Sequence, residues 1–255
     1  MTTRLLILGG TTEARRLAER LAGRDDLRVT LSLAGRTLDP VKQPVPVRTG
    51  GFGGVAGLVA FLRQNAVDGV IDATHPFAAQ MSRHASEAAA AAGVPLLALR
   101  RPAWDPVEGD RWTEVESVAE AAAALGERPR RAFLALGRQE LAPFEALPQH
   151  AYLIRSVDPV EPPLAVPDAV YVTARGPFGV EDDVRLLTEH RIDVVVSKNA
   201  GGDASYAKIA AARRLGLPVV MVRRPAVPDV PAVATVEAAV AWIAHLAASR
   251  VKRGV

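Results

Sequence analysis

Four short stretches of this chain gather glycine, hydroxyl, histidine or lysine residues between apolar segments. In LLILGGTTEA, Gly9 and Gly10 follow a strand-like run, and Thr11 and Thr12 open a helix. Glycine there lets the backbone approach a ligand closely. A helix N-terminus adds unpaired N–H groups and partial positive charge, so the chemistry offered is anion binding, phosphate above all. The same threonines suit plain helix capping, and the turn alone does not choose between the two. GGFGG, Gly50 to Gly54, carries four glycines in five positions, with Gly51 a candidate for backbone contact with a ligand. DATHPFA sets Thr74 and His75 at a strand end, ahead of Pro76, which suits a first helical turn. His75 is a candidate hydrogen-bond donor, and a lone histidine also serves to cap or pack. VVVSKNAGG brings Ser197, Lys198, Asn199 and Gly201 to the equivalent place later in the chain. A strand-end lysine can pair with an anion or help deliver a proton. An exposed, solvated lysine is the ordinary alternative.

The strand LRVTLSLAGR ends at Ser32 and Arg36. In dinucleotide folds an acid at this strand end favours NAD, and an arginine accommodates the 2′-phosphate of NADP. No acid stands here, so NADP is favoured, with a solvated loop arginine as the alternative. The G-x-G-x-x-G fingerprint is missing. In the second half, Arg138 of LGRQE, Arg155 and Arg175 fall at strand ends and predict a basic rim on a substrate side.

Composition narrows the partners. The 255 residues are 49% hydrophobic and only 5% aromatic, a palette suited to alternating strands and helices. With no cysteine there is no disulfide, thiolate metal site or cysteine nucleophile, and five scattered histidines lack an H-E-x-x-H pattern, so no metal is expected. The net charge of +3 comes without a Lys/Arg run interleaved with aromatics, which favours an anionic small molecule over nucleic acid. The longest apolar stretch, Ala88 to Leu99, holds Gly93 and Pro95 and is too short for a membrane span. The start MTTRLLILGG does not read as a signal peptide, and a cytoplasmic protein is expected.

The elements that position these residues repeat. GVPLLALRRPA from Gly93 matches GLPVVMVRRPA from Gly216 at six of eleven positions. The segment from Phe52 resembles that from Phe178, RLLILGG resembles RAFLALG, and TEVESVAEAAAAL resembles ATVEAAVAWIAHL, all in the same order. Four matches in one order indicate tandem duplication. Continuous apolar strands alternating with helices predict an α/β fold: two Rossmann-like, doubly wound parallel-sheet domains, with ligands outside the strands' carboxyl ends in a cleft. The repeat divides the chain into 1–127 and 128–255. The proline-bearing linkers after Arg101 and Arg224 are long enough for each half's last strand and helix to cross onto the other sheet.

LILGGTTEAR, SLAGRT, GGFGG, DATHPFA and SKNAGG, in this order over nearly the whole chain, resemble the precorrin-6A reductase family of cobalamin biosynthesis. The resemblance implies two Rossmann-like domains, NADPH as cofactor, and reduction of one double bond of the precorrin-6A macrocycle to give precorrin-6B. A related branch acts on cobalt-containing precorrin. On this resemblance residues 1–127 hold NADPH through Gly9, Gly10, Thr11, Thr12, Ser32, Arg36, Gly51, Thr74 and His75. Residues 128–255 face an anionic tetrapyrrole-derived macrocycle through Arg138, Ser197, Asn199 and Gly201. Lys198 and Arg15 are the catalytic candidates, and neighbouring corrin-pathway enzymes are conceivable partners. Rival readings are a two-domain sugar-nucleotide transferase and a two-lobed binding protein without turnover.

Overall fold

The computed structural model describes residues 2–35 and 41–253. Arg36 therefore lies outside the described residues. In chain order the elements are β1 (Thr3–Leu8), α1 (Thr12–Leu21), β2 (Leu27–Leu33), β3 (Val47–Thr49), α2 (Gly54–Gln64), β4 (Gly69–Asp72), α3 (Ala79–Ala92) and β5 (Leu96–Leu99). There follow β6 (Trp112–Val115), α4 (Val118–Ala123), β7 (Arg131–Ala135), β8 (Ala151–Ser156), β9 (Ala169–Thr173), α5 (Val180–Glu189) and β10 (Val194–Lys198). The chain ends with α6 (Ala207–Arg214), β11 (Val219–Val222), β12 (Ala232–Val233) and α7 (Val236–Arg253). Short 3₁₀ turns at Arg138–Glu140 and Ala142–Ala146 replace a helix between β7 and β8.

Two six-stranded sheets form, ordered β12-β5-β4-β1-β2-β3 and β6-β11-β10-β7-β8-β9, and every pairing is parallel. Each is the doubly wound order, reversing direction at β1/β4 in one sheet and at β7/β10 in the other. The reason is visible in LLIL of β1. Leu5 and Ile7 pack on the α1/α7 side, Leu6 and Leu8 on the α2/α3 side, and all four are buried. Successive strand residues point to opposite faces, so only a strand apolar throughout can sit between two helix layers. Each such side chain contributes roughly 1.5–3 kcal/mol of burial.

The chain divides into two compact units, residues 1–102 with 226–255, and residues 103–225. These differ from the contiguous halves 1–127 and 128–255, because the tails do exchange. β6 pairs with β11 through Trp112↔Val219 to Val115↔Val222. β12 pairs with β5 through Ala232↔Ala98 and Val233↔Leu99. Each half thus completes the other half's sheet. Among the described residues no helix is long and apolar enough to cross a membrane.

Candidate functional site

In the first unit the strand-end loops meet at the β1/β4 reversal. The Gly9 N–H donates to the Ser32 carbonyl at 2.9 Å, and a Cβ on Gly9 would lie 2.6 Å from Leu31 Cδ1. Only glycine lets this turn pack so closely on β2. Gly10 has φ +115°, and the space where its side chain would be is open. Thr11 caps α1 by accepting from Ala14 N–H at 3.1 Å, and its hydroxyl donates to the Ala73 carbonyl at 2.8 Å. Its side chain therefore ties the β1 and β4 loops together. What faces the turn is backbone: the N–H groups of Thr12 and Glu13, which lie in the helix's first turn and have no intrahelical acceptor.

At the β2 end the Ser32 hydroxyl is buried and accepts from Arg48 at 2.9 Å. Arg48, at the end of β3, also donates to the carbonyls of Gly50 at 2.8 Å and Gly51 at 2.9 Å, and lies 3.8 Å over the Phe52 ring. Burial pushes its pKa down. The guanidinium stays charged all the same, given how basic it is. Sequence reading passed over Arg48, because nothing in PVRTGG separates it from a solvated arginine. It is the cation that shapes GGFGG, whose Gly50 and Gly53 take φ +103° and +80° and whose Gly50, Gly51, Gly53 and Gly54 all leave open space above them.

The β4 end holds a second residue that was passed over. Asp72 is buried and accepts from the Thr74 N–H at 3.2 Å, the Thr74 hydroxyl at 2.7 Å and the Ser82 hydroxyl at 2.6 Å, with Arg100 at 3.9 Å. Thr74 is thus engaged with its own loop. The loop is stiffened just ahead of His75, whose Nδ1 accepts from the Phe77 N–H at 3.3 Å. In the neutral ring that acceptor role leaves the proton on Nε2. Arg15 lies on the outer side of α1 and pairs with Glu19 at 2.8 Å, one turn along.

The second unit assigns different work to several expected ligands. Ser197 is fully buried, and its hydroxyl donates to the Lys198 carbonyl at 3.2 Å. Asn199 is also buried, and its amide is spent on the backbone of Trp104, accepting from N–H and donating to C=O, both at 2.8 Å. It clamps the linker that leads from one unit to the next. Arg155 does not join a basic rim. It forms a two-pronged pair with Asp183 at 2.5 and 3.2 Å, under the rings of Phe133 and Phe178, with 7% and 2% side-chain exposure. Gly201 has φ +66° and is buried. Lys198 donates to Glu140 Oε2 at 2.6 Å, beside Arg138 of the turn after β7.

The duplication allows a direct comparison of the two units. Arg4 and Asp68 exchange hydrogen bonds as Arg131 and Asp193 do, so these positions correspond. Counting on from them, Gly10 corresponds to Gly137, Glu13 to Glu140 and Ala73 to Lys198. Glu13 is drawn away to Arg101, 2.5 Å from it. Glu140 instead folds back over its own turn and accepts from the Gly137 N–H at 3.2 Å. The next glycine loop repeats the contrast. A Cβ at Gly179 would meet Asp182 Oδ2 at 2.9 Å, and Glu181, Asp182 and Asp183 crowd the first turn of α5. The first turn of α2 carries no acid. The two glycine turns of the first unit are clear of the chain's own carboxylates, and their counterparts in the second, at Gly137 and Gly179, hold them. Among the described residues no cluster could hold a metal ion.

The family model described as precorrin-6x reductase CbiJ/CobK matches residues 4–244. A curated protein from Sinorhizobium sp named precorrin-6A reductase is 57% identical over 95% of this chain and 93% of its own length. A solved structure titled CobK precorrin-6A reductase is 55% identical, covers 96% of this chain and 97% of that one, and superposes with a TM-score of 0.91. A relative from Priestia megaterium named cobalt-precorrin-6A reductase is 29% identical over 87% of this chain and 90% of its own.

Proposed function

The chain belongs to the precorrin-6x reductase family, and from that premise we propose that it reduces one double bond of precorrin-6A to precorrin-6B with NADPH. The observation that carries the placement of the cofactor is the contrast between the two sets of glycine turns. A dinucleotide brings phosphates, and among the described residues the turns at Gly9–Gly10 and Gly50–Gly54 are clear of the chain's own carboxylates, whereas their counterparts at Gly137 and Gly179 hold them. The identities favour the metal-free substrate, since the relative named for it is 57% identical and the one named for the cobalt form 29%. The same reading puts the enzyme in the cytoplasm.

NADPH supplies the hydride when bound. Everything else falls to this chain's residues. The N–H groups of Thr12 and Glu13 would donate to the pyrophosphate at the turn that Gly9 and Gly10 keep thin. Arg48, held beside Ser32 and the Gly51 backbone, would supply the cation for the 2′-phosphate, with Arg36 outside the described residues as the other candidate. Thr74 and His75 border the same reversal, His75 with Nε2–H as donor. In the second unit Arg138 and Lys198 meet the acetate and propionate arms of the macrocycle, as cations meet carboxylates. Lys198 is also positioned to assist proton delivery after hydride transfer, and Glu140 holds its ammonium in place until substrate arrives. Arg15 reaches substrate only by leaving Glu19, an exposed pair worth about 0.3–0.5 kcal/mol.

Anaerobic incubation with precorrin-6A and either NADPH or NADH, read by mass spectrometry, tests this. The expected result is a gain of two hydrogens, faster with NADPH. No gain with precorrin-6A but a gain with cobalt-precorrin-6A would overturn the substrate, and faster turnover with NADH would overturn the cofactor.

A further inference from the structure

The turn after β7 already holds a carboxylate, its own. Glu140 Oε2 sits 2.6 Å from Lys198 Nζ and 3.2 Å from the Gly137 N–H. A Cβ at position 137 would lie 2.9 Å from that same oxygen, so glycine is what leaves room for it. The place is the β7/β10 reversal, where ligands of doubly wound sheets bind. This pair differs from the unit's other strand-end pair. Arg155 and Asp183 are sealed at 7% and 2% exposure, whereas Lys198 and Glu140 keep 15% and 33%. Water reaches the second pair, and the glutamate side chain can swing out at small cost.

We propose that Lys198 and the Gly137 N–H form a carboxylate subsite that Glu140 fills in the free protein and vacates when a substrate carboxylate enters. The identity of that carboxylate as an acetate or propionate arm rests on the reductase reading. The subsite itself does not. Glu140 then acts as an internal competitor: it holds Lys198 in place, and it sets a threshold that stray anions do not pass. A purely structural brace makes the opposite prediction, because removing it loosens the turn and weakens binding.

The test follows the Gly137 amide resonance in ¹⁵N-labelled protein during titration with propane-1,2,3-tricarboxylate, without precorrin or cofactor. Glu140→Ala is expected to bind this probe roughly fivefold more tightly than wild type, the most that a partly exposed pair can withhold. Glu140→Gln, which keeps the side chain's bulk, falls between. Adding Lys198→Met to Glu140→Ala abolishes the gain. Binding no tighter in Glu140→Ala than in wild type, or a Gly137 shift that survives loss of Lys198, overturns the proposal. Since the readout needs no turnover, a failed reductase assay leaves the subsite standing, and a failed titration leaves the reductase reading untouched.

Discussion

Arg101 is expected to protect cofactor binding without touching the cofactor. It holds the Glu13 carboxylate at 2.5 Å, with side-chain exposures of 15% and 20%. Replacing it with glutamine releases a negative charge beside the turn proposed to hold the pyrophosphate, free to fold over Gly10 as Glu140 folds over Gly137. A unit charge about 5 Å from a phosphate charge, at an effective dielectric near 20, repels by roughly 3 kcal/mol. That is an upper limit, because the freed side chain spends much of its time in water. About 1–1.5 kcal/mol remains, or roughly tenfold in Kd. The assay is NADPH binding by fluorescence or calorimetry to wild type, Arg101→Gln, Glu13→Gln and the double variant. Arg101→Gln should bind about tenfold more weakly, Glu13→Gln within about twofold of wild type, and the double variant should recover most of the loss. If the double variant binds as poorly as Arg101→Gln, Arg101 acts through the fold or by direct contact, and the reasoning fails.

Three further outcomes follow from the packing. Asp183→Asn leaves Arg155 charged and unpaired in its buried site, at a cost of about 3 kcal/mol and a fall in Tm of roughly 10 °C; a shift below about 2 °C would contradict the seal around the pair. Asn199→Ala strands the buried N–H and C=O of Trp104, and denaturant unfolding should show a loss of about 2–4 kcal/mol. Burial, the largest cause, holds the His150 imidazole below its ordinary 6.5, so the unfolded chain takes up its proton first, and stability falls as pH drops below about 6.5. His150→Asn, which keeps an acceptor for the Arg130 N–H, should flatten that limb of a Tm-against-pH profile; an unchanged slope would rule His150 out as its source.

The layout was legible because strands such as LLIL and VVVS are apolar throughout, which fits few places other than a parallel sheet covered on both faces. The tail exchange was legible as an option from PAWDPVEGDR, a linker too long for a simple βα turn. What stayed hidden depends on pairings between distant residues. Arg155 reads like any strand-end arginine until Asp183 is seen beneath it. Asn199 reads as a polar loop residue until the Trp104 backbone occupies both ends of its amide. Arg48 gains meaning only when β3 carries it over Phe52 and next to Ser32. Asp72 sat in full view in DATHPFA, but an acid at a strand end signals nothing until its three hydrogen-bond donors are known.

The repeated motif RRPA shows why identity of sequence did not convey identity of role. Its second arginine is Arg101 in one copy and Arg224 in the other. Arg224 donates to the carbonyls of Asn199 and Ala200, at 2.9 and 3.0 Å, and so fastens the loop after β10. With Arg224 so engaged, the cation that meets the repeat's glutamate in that unit is Lys198. In the first unit the position of Lys198 is Ala73, which offers only a carbonyl, taken by Thr11. Glu13 finds its cation at Arg101 instead and leaves the glycine turn clear. One exchange at a strand end, alanine for lysine, together with a redirected arginine, thus leaves one copy's glycine turn clear and gives the other copy a cation at its own. On the proposed assignment, a duplicated nucleotide fold divides cofactor from substrate without a new element. It needs the same glutamate to turn one way in one copy and the other way in its twin.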